Sequence, residues 1–278
     1  MSVYRLGRPR GVVRPSPLFL SVLAVTALGG VIAWSTDTPQ DRFGDFGVFL
    51  FVLGGWVVSV CLHEFAHAYA AFRAGDRSVE ARGYLTLNPF KYTHPFLSIL
   101  LPLVAIVGGG FALPGGAVYL HPHTFRTRAQ RSMAAAAGPT VNIVLAIVLV
   151  LVAKDHVRLI DIRSYFFGLG QSEHSRFWGA VAFLAALQVT AAVLNLLPIP
   201  GLDGWAIIEP YLSPQTQQTA EKIKPWGMFA VLILLFYSRS IQDAFFNLVD
   251  GIYGALGGTE EARSFGYNLF RWWAKDRY

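Results

Sequence analysis

The sequence predicts an all-α polytopic membrane protein with a re-entrant or β-hairpin element near the cytoplasmic side. Three observations carry that expectation. Hydrophobic residues fill 54% of the 278 positions and charged residues only 14%, far from the balance of a soluble domain. Charge-free runs of membrane length recur along the chain. The net charge of +6 comes from Arg and Lys gathered at the ends of those runs, as lipid head groups favour. No single basic stripe forms, so nucleic acid is not an expected partner. About five to six spans are expected in one domain, 1–278, placed in the cell membrane.

Arg5, Arg8, Arg10 and Arg14 precede a charge-free stretch from 15 to 36, long enough to span. Four positive charges without an acid place the N-terminus in the cytoplasm. No cleavable signal peptide is expected, because the apolar run is long and lacks a small-residue cleavage site. Asp37, Asp41, Arg42 and Asp45 have the composition of an outside loop, and a second helix, about 46–73, returns to Arg73 and Arg77. Ala66, Ala70 and Ala74 repeat at i, i+4 on this helix, a surface that lets another helix approach closely. Gly83-Tyr-Leu-Thr-Leu87 alternates as a short strand does and stops at Asn88-Pro89.

Residues 95–120 are apolar enough to cross, yet Pro102, Gly108 to Gly110 and Pro114-Gly115-Gly116 interrupt them. A full crossing would put Arg126, Arg128 and Arg131 outside, so a re-entrant loop or broken hairpin over 95–113 is expected. A third full span covers about 131–153 and a fourth about 177–197, joined by a mixed-charge outside loop over 154–176. The fourth breaks at Asn195-Leu-Leu-Pro-Ile-Pro-Gly-Leu-Asp203-Gly204, where two prolines forbid a regular helix. Lys222 and Lys224 mark a cytoplasmic loop. Residues 225–238 are short for a span unless the helix continues to about 248, and aromatic 264–278 reads as interfacial.

The chemistry lies in the second helix, where Cys61-Leu-His-Glu-Phe-Ala-His-Ala68 follows the charge-free residues 46–62. His63 and His67, four apart, share one helix face and can reach one tetrahedral zinc. Glu64 lies beside them, where it can take a proton from water on the metal. Ionisable groups at that depth read as functional. Cys61 is the lone cysteine, which excludes an internal disulfide and a Cys-rich zinc site; it sits on roughly the opposite face and reads as packing. A catalytic zinc takes three protein ligands. Asp203, Asp76, Glu80, Glu209, His94, His121 and His123 are candidates for the third. Asp203 alone combines an apolar approach, a broken backbone and the depth of the histidines. His121 and His123 suit a solvated loop, and His94 has no assigned role. A tetrahedral oxyanion needs a further donor; Asn195 is the first candidate and Asn142 the second, each with helix-to-helix hydrogen bonding as its alternative use.

Three stretches resemble one family in order and spacing. These are His63-Glu64-Phe65-Ala66-His67, Gly138-Pro139-Thr140-Val141-Asn142 and Asn195-Leu-Leu-Pro-Ile-Pro-Gly-Leu-Asp203-Gly204. Together they look like the site-2 protease family of intramembrane zinc metalloproteases, and Leu85-Thr-Leu-Asn-Pro89 is similar to a bacterial branch. The resemblance covers about 46–210. It implies His63, His67 and Asp203 as zinc ligands, Glu64 as the catalytic residue, and one Zn²⁺ per chain. It also implies a transmembrane protein as substrate, often an anti-sigma factor, cut within the bilayer. Trp205 stands where many members have a second Gly, and the PDZ and CBS domains of some relatives are not seen. An unwound substrate is expected to pair with an edge at Gly83–Leu87 or Gly115–Leu120. The rival expectations are a metal-binding transporter, which would give flux without needing Glu64, and a proteolytically idle scaffold, which would need none of the four motif residues.

Overall fold

The computed structural model describes residues 13–36, 41–92, 124–157 and 173–273. Among these the regular structure is helical, with no strand. Four helices are long and apolar enough to cross a membrane, and a bent pair brings the number to five if it counts as one span.

Helix α1, Pro17–Ser35, starts where Ser16 Oγ accepts the Phe19 N–H at 3.1 Å and Pro17 takes the first helical position. It lies along α2, Arg42–Ala74, and exposes Leu20, Leu23, Leu28 and Val31 on its other side. The Asp41 carboxylate caps α2 at Phe43 N, and Gly75 at φ 115° closes it. At 33 residues, α2 is about 50 Å long, well beyond a ~30 Å hydrocarbon core. A four-residue turn, α3, covers Ser78–Ala81. Helix α4, Arg128–Val157, carries Pro139 inside it. Helix α5, Ser175–Asn195, is the axis of the molecule: 19 of its 21 residues are buried, with α2, α4, α8 and α9 packed around it. Short α6, Asp203–Ile208, follows the break. Helices α7, Pro214–Tyr237, and α8, Arg239–Ala255, meet at 99°. Helix α9, Glu260–Phe270, buries Phe265, Leu269 and Phe270 in the main core.

The first four spans fall where the apolar runs place them, and other expectations need correction. Residues 83–87 form no strand. Gly83 at φ 77° and Leu87 at φ 56° bracket a 3₁₀ turn, Tyr84–Thr86, closed by the Thr86 hydroxyl on the Gly83 carbonyl at 2.6 Å. Tyr84, Leu85 and Leu87 are all buried, so the apparent alternation is a turn folded into the core. It offers no free edge, because the carbonyls of Leu85 and Thr86 accept the Arg14 and Ser16 amides at 3.4 and 2.8 Å. The re-entrant stretch 95–113 and the second edge, 115–120, lie outside the described residues.

Lys222 and Lys224 sit on a helix and not in a loop. Ser213 caps and Pro214 starts α7 eleven residues before the apolar run at 225. The interfacial segment expected at 264–278 is in part the packed face of α9. Ala66 and Ala70, with Phe65, Tyr69, Ala136 and Ala137, line an open groove of about 660 Å³ between α2 and α4.

Candidate metal centre

His63 and His67 come from one face of α2, and Asp203 is the first residue of α6, directly after the break. Their ligand atoms form a small triangle. His63 Nε2 and His67 Nε2 are 3.1 Å apart, and they stand 3.2 and 3.4 Å from Asp203 Oδ2 and Oδ1. Donors on a tetrahedral zinc, each about 2.0–2.1 Å from it, lie about 3.3–3.4 Å from one another. The imidazole nitrogens meet different oxygens of the one carboxylate at separations of that order, and the three side chains could hold one small metal ion. Both imidazoles are buried, while Asp203 keeps partial access.

The fourth wall is a missing side chain. A Cβ on Gly138 of α4 would overlap Nε2 of both histidines, so only glycine leaves that space open. One residue later, Pro139 gives no N–H to the Ala135 carbonyl of the turn before it. In that turn the Ala134 carbonyl accepts the His67 Nδ1 proton at 2.8 Å. His63 Nδ1 donates to Asn142 Oδ1 at 2.6 Å. The string continues from Asn142 Nδ2 to Gln188 Oε1 at 2.8 Å, from Gln188 Nε2 to Ser59 Oγ at 3.1 Å, and from Ser59 Oγ to the Trp56 carbonyl at 2.7 Å. With both Nδ1 atoms donating, each Nε2 turns a lone pair to the triangle.

Asp203 is held by close backbone contacts. Gly201, at φ 102°, makes the turn that no side chain would tolerate well. Gly227 of α7 lies so near the Pro200 carbonyl that a Cβ there would overlap it.

The structure sorts the other candidates. Glu64 is 1% exposed on α2 between the two histidines. Asp76 caps the turn at Ser78 N, 2.9 Å away, and Glu80 is exposed. Glu209 is buried against Arg131 at 2.6 Å. His94, His121 and His123 lie outside the described residues. Cys61 is fully buried in packing, with the Tyr92 hydroxyl on its carbonyl at 3.1 Å. Asn195 is buried at the C-terminal end of α5. Asn142 spends its amide on His63 and Gln188, the helix-to-helix use set against its oxyanion role. Sequence reasoning missed Gly138 as a wall and Ala134 and Gln188 as supports. A buried amide four residues after Gly138 was the one signal available.

Compared with known proteins, residues 48–160 match the family model described as peptidase family M50. A protein of Mycolicibacterium smegmatis named "Putative zinc metalloprotease Rip2" is 45% identical over 265 residues, covering 95% of this chain and 96% of its own. The chain belongs to peptidase family M50. Its counterpart of the same name in Mycobacterium tuberculosis is 44% identical over the same shares. A Bacillus subtilis protein, YwhC, bears the same metalloprotease description and is 31% identical over 64% of this chain and 76% of its own. No solved structure matches the chain. M50 is the family that the three motif stretches resemble, and the match over 95% of the chain carries that likeness beyond residues 46–210.

Proposed function

We propose that this protein is a zinc-dependent intramembrane endopeptidase that cuts a transmembrane helix of a membrane-protein substrate, such as an anti-sigma factor or other signalling protein. The observation that carries the reading is the meeting of His63, His67 and Asp203, with closest approaches of 3.1 to 3.4 Å, beside buried Glu64. His63, His67 and Asp203 would hold the ion. When bound, zinc supplies Lewis acidity that polarises a peptide carbonyl and makes water nucleophilic near neutral pH.

The chain's own groups do the rest. Glu64 takes the proton from the attacking water and returns it to the leaving amine. Its burial keeps the carboxylate out of bulk solvent and beside the imidazoles. Asn195, at the end of α5, donates its amide to the developing oxyanion. Asn142 and the Ala134 carbonyl keep the imidazoles turned to their task. The arginines before residue 15 put the N-terminus in the cytoplasm. The ends of α2 and α5 nearest the site then face the same side, and cleavage occurs in the inner half of the bilayer. A substrate helix must unwind there, since an intact helix hides its amides.

The test is metal content and cleavage of a transmembrane peptide by detergent-purified protein. Glu64→Gln retains zinc and loses cleavage; Asp203→Ala loses both. Full cleavage by Glu64→Gln would refute the mechanism. Ion flux across vesicles that persists in Glu64→Gln would favour a transporter.

A further inference from the structure

We infer that Arg131 is a positioning residue for the metal-binding carboxylate, acting through Glu209 and helix α6; the inference rests on the proposed metal site. Helix α6 has six residues, Asp203–Ile208, far below the ~12–15 at which an isolated helix becomes even marginal. Its leading end hangs from a loop containing Pro198, Pro200 and Gly201. Something else must fix where Asp203 points.

The far end of α6 supplies that anchor. Arg131 Nη2 meets Glu209 Oε2 at 2.6 Å, and Ser132 Oγ donates to the Ile207 carbonyl at 2.5 Å. Glu209 is nearly sealed, its side chain 4% exposed, while Arg131 keeps 25%. A carboxylate so buried depends on its partner: without the guanidinium it must neutralise or move toward water. Asp203 and Glu209 are six residues apart, about 9 Å along the helix. A short rigid rod passes a displacement at one end to the other. Metal–ligand distances tolerate only about 0.2 Å, so even a shift of a few tenths of an ångström at Asp203 matters.

Both anchors come from the helix that builds the rest of the site. Arg131, Ala134, Gly138 and Asn142 fall at i, i+3, i+7 and i+11 of α4, the spacing of one helix face. That face grips α6, turns His67, leaves room between the two Nε2 atoms, and turns His63. One rigid element thus sets all three ligands against one another. Lys at 131 would keep the charge and lose the fork; Met would lose both.

The experiment measures zinc retention by full-length, detergent-purified protein against a competing chelator. It also records the visible absorption of the cobalt-substituted form, which reads the coordination geometry, and thermal unfolding of each variant. Arg131→Met and Glu209→Gln are expected to weaken zinc binding in the folded fraction about tenfold or more and to change the cobalt spectrum. Arg131→Lys is expected to recover most of the affinity. Wild-type affinity and an unchanged cobalt spectrum in both Arg131→Met and Glu209→Gln would overturn the inference. So would zinc loss that only follows the unfolded fraction. If wild-type protein holds no zinc, or His63→Ala holds as much as wild type, the metal site itself falls and the inference with it.

Discussion

His63 and Asn142, 79 positions apart in the chain, share a 2.6 Å hydrogen bond across the α2–α4 contact, with the imidazole Nδ1 as donor. That bond decides which ring nitrogen faces the carboxylate of Asp203, and it ties His63 to a scaffold of three buried amide and hydroxyl groups.

Removing Asn142 tests this directly. Asn142→Ala frees the His63 ring to change tautomer and leaves the Gln188 carbonyl oxygen unpaired in a dry interior. Loss of such an outer partner typically costs about 10–100-fold in metal affinity or activity, and the orphaned amide about 1–3 kcal/mol of stability. Zinc competition and thermal unfolding in detergent measure the two effects separately. Wild-type zinc affinity would refute the tautomer role.

Gly138→Ala adds one methyl group where His63 Nε2 is 2.6 Å from the position of its Cβ. Alanine is the better helix former by about 1 kcal/mol, so helical content measured by circular dichroism is expected to persist. Zinc content is expected to collapse, because the histidines must move apart. A variant that keeps its zinc would show that the wall is not where the structure places it.

Gly227→Ala should act from a distance. The added carbon overlaps the Pro200 carbonyl, and α7 or the loop before Asp203 must yield. Overpacking of this kind costs about 1–3 kcal/mol. Cleavage assays with a transmembrane peptide are expected to show a lower kcat than wild type, with zinc held less tightly. Unaltered kcat and zinc affinity would mean the loop yields without moving Asp203.

Arg176→Met is the contrasting case. This residue is fully buried, with Nε on Asp45 at 3.2 Å and Nη1 and Nη2 on the carbonyls of Thr36 and Asp41. Losing it breaks a buried ion pair and two hydrogen bonds to backbone carbonyls, at a cost of about 3–5 kcal/mol. The unfolding temperature should fall while zinc affinity of the folded fraction holds. Zinc loss matching that of Gly138→Ala would contradict the separation of the two regions.

The motif residues were legible because their geometry is local. His63 and His67 need only the helical repeat, and Asp203 announces itself by two prolines in an apolar run. The first four spans were legible from charge-free length. What surrounds the triangle was not. Glu209 read as a spare ligand and Arg131 as a marker of membrane side, because a pairing over 78 residues leaves no local trace. Gly138 was visible only as part of a motif, because its contact with two imidazoles depends on how α4 is rotated against α2. The turn at Tyr84–Thr86 imitated a strand because apolar residues at 85 and 87 fit either geometry, and the positive φ of Leu87 is invisible in its letter.

The hydrogen-bonded string from His63 through Asn142 and Gln188 to Ser59 passes through α2, α4 and α5. One added residue rotates everything after it by about 100°, so an insertion between positions 138 and 142 would swing the Asn142 amide off its imidazole. These three helices therefore act as keyed shafts whose internal lengths cannot drift in descent. Changes of length should collect in the connecting segments instead.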